Sequence, residues 1–328
     1  MSLQFESITL YEESEILPKM VIDPSILQEI SRSFVSYSSK LGQVPPVMQI
    51  TVPELDGQTC IKSAYVEGLP GYAVKVSSIF PQNLPAIAPV RNGLFLLFNA
   101  KTGAVDTIFM DNGYLTQLRT AAAGAVATDL LANKNAENLS IIGSGLQAFM
   151  QAQAMCLIRE IKTITVWARD SQKGQILSEK IIKELGVECK FEDKIASAIE
   201  GADIIVTTTS ARSPLLLADH IRPGQHITAM GSDAPGKREL DPMILAKADI
   251  YACDSIAQCE KLGELQHMDL GNHAVKAAEI GGLIARACPI RNSANDISVA
   301  DLTGIGTQDT HIALLARNIL APDRKWRT

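Results

Sequence analysis

The sequence has no surplus of positive charge. Its 328 residues carry 30 Lys and Arg against 36 Asp and Glu, for a formal charge of −6. A nucleic-acid-binding chain normally shows a basic balance or a basic stripe, so that class is excluded. Long apolar runs are also missing: none approaches the roughly 20 residues of a membrane span. The first residues, MSLQFESITLYEESEI, carry acids where a signal peptide carries bases. These two absences predict a soluble, cytoplasmic protein with no membrane partner. The 15 Pro and 22 Gly follow no period, which excludes collagen-like and low-complexity classes. The six cysteines, Cys60, Cys156, Cys189, Cys253, Cys259 and Cys288, form no CxxC pair and read as reduced thiols. The five histidines, His220, His226, His267, His273 and His311, do not cluster at ligand spacing. His267 and His273 stand six apart beside Glu264 and Asp269, and no metal site is expected.

What is present is apolar material: 46% of residues are hydrophobic and 20% charged, enough for a sizeable core. The length favours two domains. Pro24 and Ser25 open a stretch whose apolar positions Ile26, Leu27, Ile30, Phe34 and Val35 recur at helical spacing. Short β-branched runs follow, such as YAVKVSSIF and GLFLLFNAKTGAVDTIFMD, separated by Pro and Gly turns as antiparallel strands are. Asn99 to Gly103 reads as a hairpin turn. An Ala-rich helix is predicted from about Thr116 to Leu131.

Past Asn138 the pattern changes. Apolar strands (LSIIG, TITVWAR, ADIIVTTTS, QHITAMGS, DIYACD, ISVADLTGIG) alternate with helices, which implies parallel βαβ units. The strand Leu139–Ile142 runs into Gly143-Ser144-Gly145-Leu146-Gln147-Ala148 and then a helix. In this GxGxxA turn Gly143 permits the tight bend, Gly145 lets a pyrophosphate approach the backbone, and Ala148 lets the helix pack on the strand. The phosphates then meet the unpaired N–H groups at the helix start. The end of the next strand normally reads the ribose, and here Arg169 and Asp170 are adjacent. An acid would suit NAD and an Arg the 2′-phosphate of NADP; Arg169 tips the expectation to NADP.

Taken together, AVKVSSIFPQN around Lys75, LTQLRTAAAGAVAT around Arg119, GSGLQA, GADIIVTTTS, GQHITAMGSDAPGKREL and ADLTGIGTQD cover nearly the whole chain. In this order they resemble the ornithine cyclodeaminase/μ-crystallin family, with the cyclodeaminase and ectoine-utilisation branches nearest in feel. The resemblance implies a Rossmann doubly wound parallel-sheet domain at 125–308. It implies an α+β substrate and dimerisation domain at 1–124, completed by 309–328. It also implies a homodimer and a small amino or imino acid as substrate. Lys75 and Arg119 are then the cations that hold the substrate carboxylate, with Arg119 also near the cofactor. Asp233 is the acid/base group at the carboxyl end of a strand, with Lys75 assisting catalysis. Thr303 lines the substrate pocket, and Thr208, Met230, Gly231 and Lys237 contact NADP or NAD. One departure stands out: Val47 and Met48 occupy the early strand where family cyclodeaminases carry an Arg. The expected chemistry is hydride transfer, deamination and cyclisation. The alternatives are a ketimine reductase, an L-amino-acid dehydrogenase, or a non-catalytic NADP-binding protein.

Overall fold

The computed structural model describes residues 8–84, 88–268, 275–286 and 289–326. Asp269, His273 and Cys288, weighed above, lie outside them. The chain divides into two units: 1–21, 39–119 and 305–328 form the first, and 22–38 with 120–304 the second.

The first unit is built on a sheet of seven strands: β1 (Thr9–Glu12), β2 (Gly42–Gln43), β3 (Met48–Val52), β4 (Gly57–Val66), β5 (Gly71–Ile79), β6 (Arg91–Asn99) and β7 (Val105–Met110). Its order is β1-β7-β6-β5-β4-β2, with β3 also on β4; β1 pairs parallel with β7 and the rest are antiparallel. At the β6–β7 hairpin the Asn99 carboxamide oxygen accepts from the Lys101 and Thr102 N–H groups, and Gly103 takes φ +69°. Short α1 (Glu13–Ile16) follows β1, and α10 (Gly306–Leu320) packs against β4, β5 and β6. Thr310 fastens α10 to the sheet: its Oγ1 accepts from Ala73 N at 3.1 Å and donates to the Ala64 carbonyl at 2.7 Å. Strand side chains alternate in direction, so Gly71, Ala73 and Lys75 of β5 are all buried on the α10 side. The opposite face carries Leu10, Met48 and Ile50, each more than half exposed.

The second unit holds an eight-stranded, all-parallel sheet. Its strands are β8 (Asn138–Ile142), β9 (Thr163–Trp167), β10 (Glu188–Phe191), β11 (Ile204–Thr207), β13 (His226–Ala229), β15 (Ile250–Cys253), β16 (Ala277–Glu279) and β17 (Ser298–Asp301). The order is β10-β9-β8-β11-β13-β17-β15-β16. The chain winds outward from β8 to β10 and then returns to β11 on the other side, which makes β8/β11 the switch point of a doubly wound sheet. A small ribbon, β12 (Arg212–Leu216) and β14 (Arg238–Leu240), lies apart from it. The helices are α2 (Pro24–Ser38), the later part of α3 (Tyr114–Leu131), α4 (Leu146–Ile158), α5 (Ser171–Leu185), α6 (Ile195–Ile199), α7 (Pro242–Lys247), α8 (Ile256–Leu262) and α9 (Ile280–Arg286). β11 and β13 are buried along their whole length and β8 along all but its first residue; this suits the apolar runs Ile204–Val206 and Ile141–Ile142, while β13 also buries His226 and Thr228.

Segment 22–38 belongs to the second unit, whereas the sequence reading had it within 1–124. Ile26, Ile30 and Phe34 of α2 are buried, and α2 packs on α9. The approach is so close that a Cβ on Gly281 would stand 1.9 Å from the Phe34 carbonyl oxygen.

Candidate functional site

In the first unit the α10 side of the sheet carries a buried ionic cluster. Lys75 projects from β5 and Arg119 from the second turn of α3, only 2% and 5% exposed. Both converge on Asp309, one turn into α10 and fully buried. Lys75 Nζ lies 3.0 Å from both Asp309 carboxylate oxygens, and Arg119 Nε lies 3.1 Å from Oδ1. Arg119 Nη1 donates to Gln308 Oε1 at 3.1 Å, while the buried Gln308 Nε2 has no hydrogen-bond partner. Burial lowers the Lys75 pKa to about 7, and the Arg119 and Lys62 charges push the same way against Asp309. For Asp309, burial acts upward, but Lys75 and Arg119 outweigh it and hold the carboxyl below its ordinary range. Two cations sharing one buried carboxylate, beside an orphaned amide donor, form a cradle suited to a carboxylate ligand.

In the second unit the glycine turn has the shape a dinucleotide needs. Gly143 adopts φ +135°, and a Cβ there would stand 2.4 Å from Thr208 Oγ1, so no other residue fits. Gly145 faces open space, and no side chain caps the start of α4 behind it. Leu146 is exposed, Gln147 accepts a hydrogen bond from Gln151, and Ala148 is buried against the sheet. The open N–H groups at this helix start fit a pyrophosphate. At the end of β9 Arg169 is exposed, whereas the Asp170 carboxylate caps α5 by accepting from Lys173 N at 3.1 Å.

The loops after β11 and β13 carry Thr208, Met230, Gly231 and Asp233, and one buried glutamate joins them. Glu239 Oε1 accepts from the Thr209 N–H (2.6 Å) and hydroxyl (2.7 Å); Oε2 accepts from the Thr207 hydroxyl (2.6 Å) and the Gly231 N–H (2.7 Å). A Cβ on Gly231 would stand 2.1 Å from the Thr209 carbonyl oxygen, so the loops touch backbone to backbone. Glu264 in turn holds β14, accepting from the Glu239 and Leu240 N–H groups. Burial pushes Glu264 up to about 8, with Asp301 adding to the effect. Asp233 is half-exposed and pairs with Lys237, Nζ to Oδ1 at 2.5 Å. Thr303 is buried, and its hydroxyl donates to Asp254 Oδ1 at 2.9 Å.

The structure therefore brings Lys75 and Arg119 together, and separately sets Gly143, Gly145, Ala148, Thr208 and Gly231 around the open helix start and the loops beside it. Sequence reasoning did not single out Asp309, Gln308 or Glu239. The quoted strings GTQD and GKREL contain them, but nothing in a string shows that a side chain is buried beside a cation over two hundred positions away. Among the described residues no group of His, Cys, Asp and Glu could hold a metal ion, and the five described cysteines are free. No helix among them is long and apolar enough to cross a membrane.

A doubly wound sheet with an open glycine turn, joined in one chain to a buried carboxylate cradle, defines an NAD(P)-dependent enzyme. The chain belongs to the ornithine cyclodeaminase/mu-crystallin family, whose model matches residues 8–321. It is 44% identical over 277 residues to an uncharacterized cyclodeaminase of Sinorhizobium fredii, covering 84% of each chain. Among solved structures it resembles the Δ1-pyrroline-2-carboxylate reductase of Thermococcus litoralis in complex with NADH and L-proline (TM-score 0.87, 28% identity, 95% of this chain and 97% of that one). It also resembles an archaeal alanine dehydrogenase dimer with bound NAD (TM-score 0.87, 25% identity, 98% of each chain).

Proposed function

We propose that this enzyme passes a hydride between NAD(P) and the α-carbon of a small amino or imino acid whose α-carboxylate rests on Lys75 and Arg119. The carrying observation is the buried cluster around Asp309, which leaves the Gln308 amide donor without a partner. A bound nicotinamide supplies or accepts the hydride. Gly143 to Ala148 hold its pyrophosphate, and Thr208, Met230 and Gly231 line the rest of its path. Lys75 and Arg119 orient the carboxylate and, with it, the carbon that reacts. Asp233, oriented by Lys237, exchanges a proton with the substrate nitrogen or with water. Thr303, fixed by Asp254, borders the substrate.

Two net reactions use this step. In cyclodeamination the amine is oxidised to an iminium, a side-chain amine adds, ammonia leaves, and the hydride returns, with no net redox change. In the reductase or dehydrogenase reaction a single hydride transfer completes the turnover; the likeness to the proline-bound reductase supports this second reading. The deciding experiment follows NAD(P)H absorbance and ammonia together across a panel of amino and imino acids. Net cofactor change means redox chemistry, and ammonia without net change means cyclodeamination. Absence of both with every member would refute the proposal.

NADP is the favoured cofactor, because Asp170 is engaged as a helix cap and Arg169 is the side chain left for the ribose 2′-phosphate. A homodimer is supported by the apolar face of the first unit's sheet, where Leu10, Met48 and Ile50 stand in register with Ile108, Ile61 and Thr59. The free thiols fit a cytoplasmic enzyme.

A further inference from the structure

The turn that carries Asp233 lies between β13 and β14, outside any strand or helix, and Gly236 within it takes φ +74°. Its ends, Asp233 and Lys237, meet as an ion pair, but the Asp233 side chain is 46% exposed. An ion pair this open to water holds a loop weakly. The firmer hold comes from Gln266, half-buried in the 3-10 turn Glu264–His267 that follows α8. Gln266 Oε1 accepts from the Gly236 N–H at 2.8 Å. Its Nε2 donates to the Gly263 carbonyl at 2.9 Å and stands 3.3 Å from the Lys237 carbonyl oxygen and 3.4 Å from that of Ala234. The Lys237 carbonyl also accepts from His267 Nε2 at 2.7 Å and from the Ser232 hydroxyl at 2.9 Å. A carbonyl has two lone pairs, which these shorter bonds fill. Gln266 therefore grips the turn at Gly236, anchors itself at Gly263, and turns its amide group toward Ala234 and Lys237.

The base on which Gln266 stands is fixed on two sides. The Glu264 carboxylate accepts from the Glu239 and Leu240 N–H groups of β14, at 2.7 and 3.2 Å. The Glu264 and Leu265 N–H groups donate to Asp301 Oδ2 at the end of β17, at 2.8 and 3.3 Å, and the Tyr251 hydroxyl of β15 donates to the same oxygen at 2.6 Å. Glu264, Leu265, Asp301 and Tyr251 are all buried. A Cβ on Gly263 would stand 2.6 Å from Asp301 Oδ2, so the chain passes this carboxyl closely. A side chain that only filled space here could be apolar. Polar contacts from a rigid base to one exposed turn fix a position instead.

We propose that Gln266 is a positioning residue for proton transfer: by fixing the turn at Gly236 it sets where the Asp233 carboxyl stands relative to the reacting nitrogen. The inference rests on the reading of Asp233 as the acid/base group. In the reductive direction the imine carbon takes a hydride from NAD(P)H, the nitrogen takes a proton from the Asp233 carboxyl, and the cofactor becomes NAD(P)⁺. The oxidative direction reverses both transfers. A shift of about 1 Å in such a group costs up to about 10²-fold in rate. The loss falls on kcat, because the contact matters in the transition state and not in binding.

The test uses the full-length enzyme and the amino or imino acid that turns over fastest in the panel described above. Gln266→Met keeps the length of the side chain and loses its hydrogen bonds. It is expected to lower kcat by about tenfold to a hundredfold, with both KM values held within about threefold. Gln266→Glu keeps the acceptor for Gly236 but sets a carboxylate oxygen against the Gly263, Lys237 and Ala234 carbonyls, and is expected to lose at least as much. Binding of NAD(P)H, followed by its fluorescence, stays near wild type in both and reports an intact fold. In Asp233→Asn, adding Gln266→Met is expected to change kcat by no more than about threefold, because the two act through one group. The solvent deuterium isotope effect on kcat should rise in Gln266→Met, and the effect of deuterium at the transferring position of the nicotinamide should fall. Wild-type kcat in Gln266→Met, or losses that multiply in the double variant, overturn the positioning role. A loss of NAD(P)H affinity that matches the loss in kcat overturns it too, as the mark of a structural role alone. Full activity in Asp233→Asn overturns the acid/base reading together with this inference, whereas an inactive Asp233→Asn beside a normal Gln266→Met overturns this inference alone.

Discussion

Asp309→Asn removes the one carboxylate that Lys75 and Arg119 share while keeping its shape. In the wild type Asp309 opposes the burial and the neighbouring cations that bring Lys75 to about 7. A lysine with that value carries its charge below about pH 7 and loses it above: about 90% is protonated at pH 6 and about 10% at pH 8. Binding of an anion that needs the ammonium should therefore weaken about tenfold between those two pH values in wild type. Without Asp309 the Lys75 value falls further. A drop of one unit, equivalent to about 1.4 kcal/mol of lost interaction, leaves about 3% of Lys75 charged at pH 7.5, against about 25% in wild type. The variant should then bind a short carboxylate roughly eightfold more weakly at pH 7.5. At pH 5.5, where Lys75 is charged in both proteins, the variant should bind it no worse, because a competing negative charge is gone. The two curves cross. The assay is the inhibition constant of a non-reacting carboxylate against pH at fixed ionic strength, with cofactor affinity as the control for folding. A wild-type profile that is flat from pH 6 to 8, or parallel profiles for the two proteins, would show that Lys75 does not titrate through contact with Asp309.

Asp233→Asn should leave cofactor affinity nearly intact and lower turnover by at least about 10²-fold; equal activity in the variant removes Asp233 from proton transfer. Glu239→Gln places an NH₂ group where four donors converge, so either the Thr209 or the Gly231 N–H loses its acceptor. At about 1–3 kcal/mol for an unsatisfied buried donor, cofactor affinity measured by fluorescence titration should fall by between fivefold and a hundredfold; an unchanged affinity would mean the two loops hold their shape without it. Arg169→Asp should shift the ratio of kcat/KM for NADP over NAD towards NAD, and a wild type that already prefers NAD tenfold would show that Arg169 does not read the 2′-phosphate.

The nucleotide half of the site is legible because its grammar is local. Leu139 to Ala148 spell strand, turn and helix within ten residues, and the glycine that bends at φ +135° and the small, buried Ala148 both fall inside that string. The helix beginning at Pro24 is legible for the same reason, since its apolar period lies within one segment. Its membership of the second unit is not, because that follows from Phe34 meeting Gly281 nearly 250 positions later. The carboxylate cradle lies between these cases. Lys75 and Arg119 were found through resemblance, since charges in apolar segments are ambiguous by themselves.

The sequence alone therefore determined the alternation of elements, the parallel sheet, the glycine turn and the family. Each depends on residue types within a strand, a turn or a helix, or on strings read in order. Only the tertiary structure decided what the charges do. Asp309 reaches Lys75 across 234 positions, Glu239 closes loops from two different strands, and Lys62 meets Lys75 through strand register. Electrostatic and hydrogen-bond energies depend on separation in space and on burial, and a chain sets neither until it has folded.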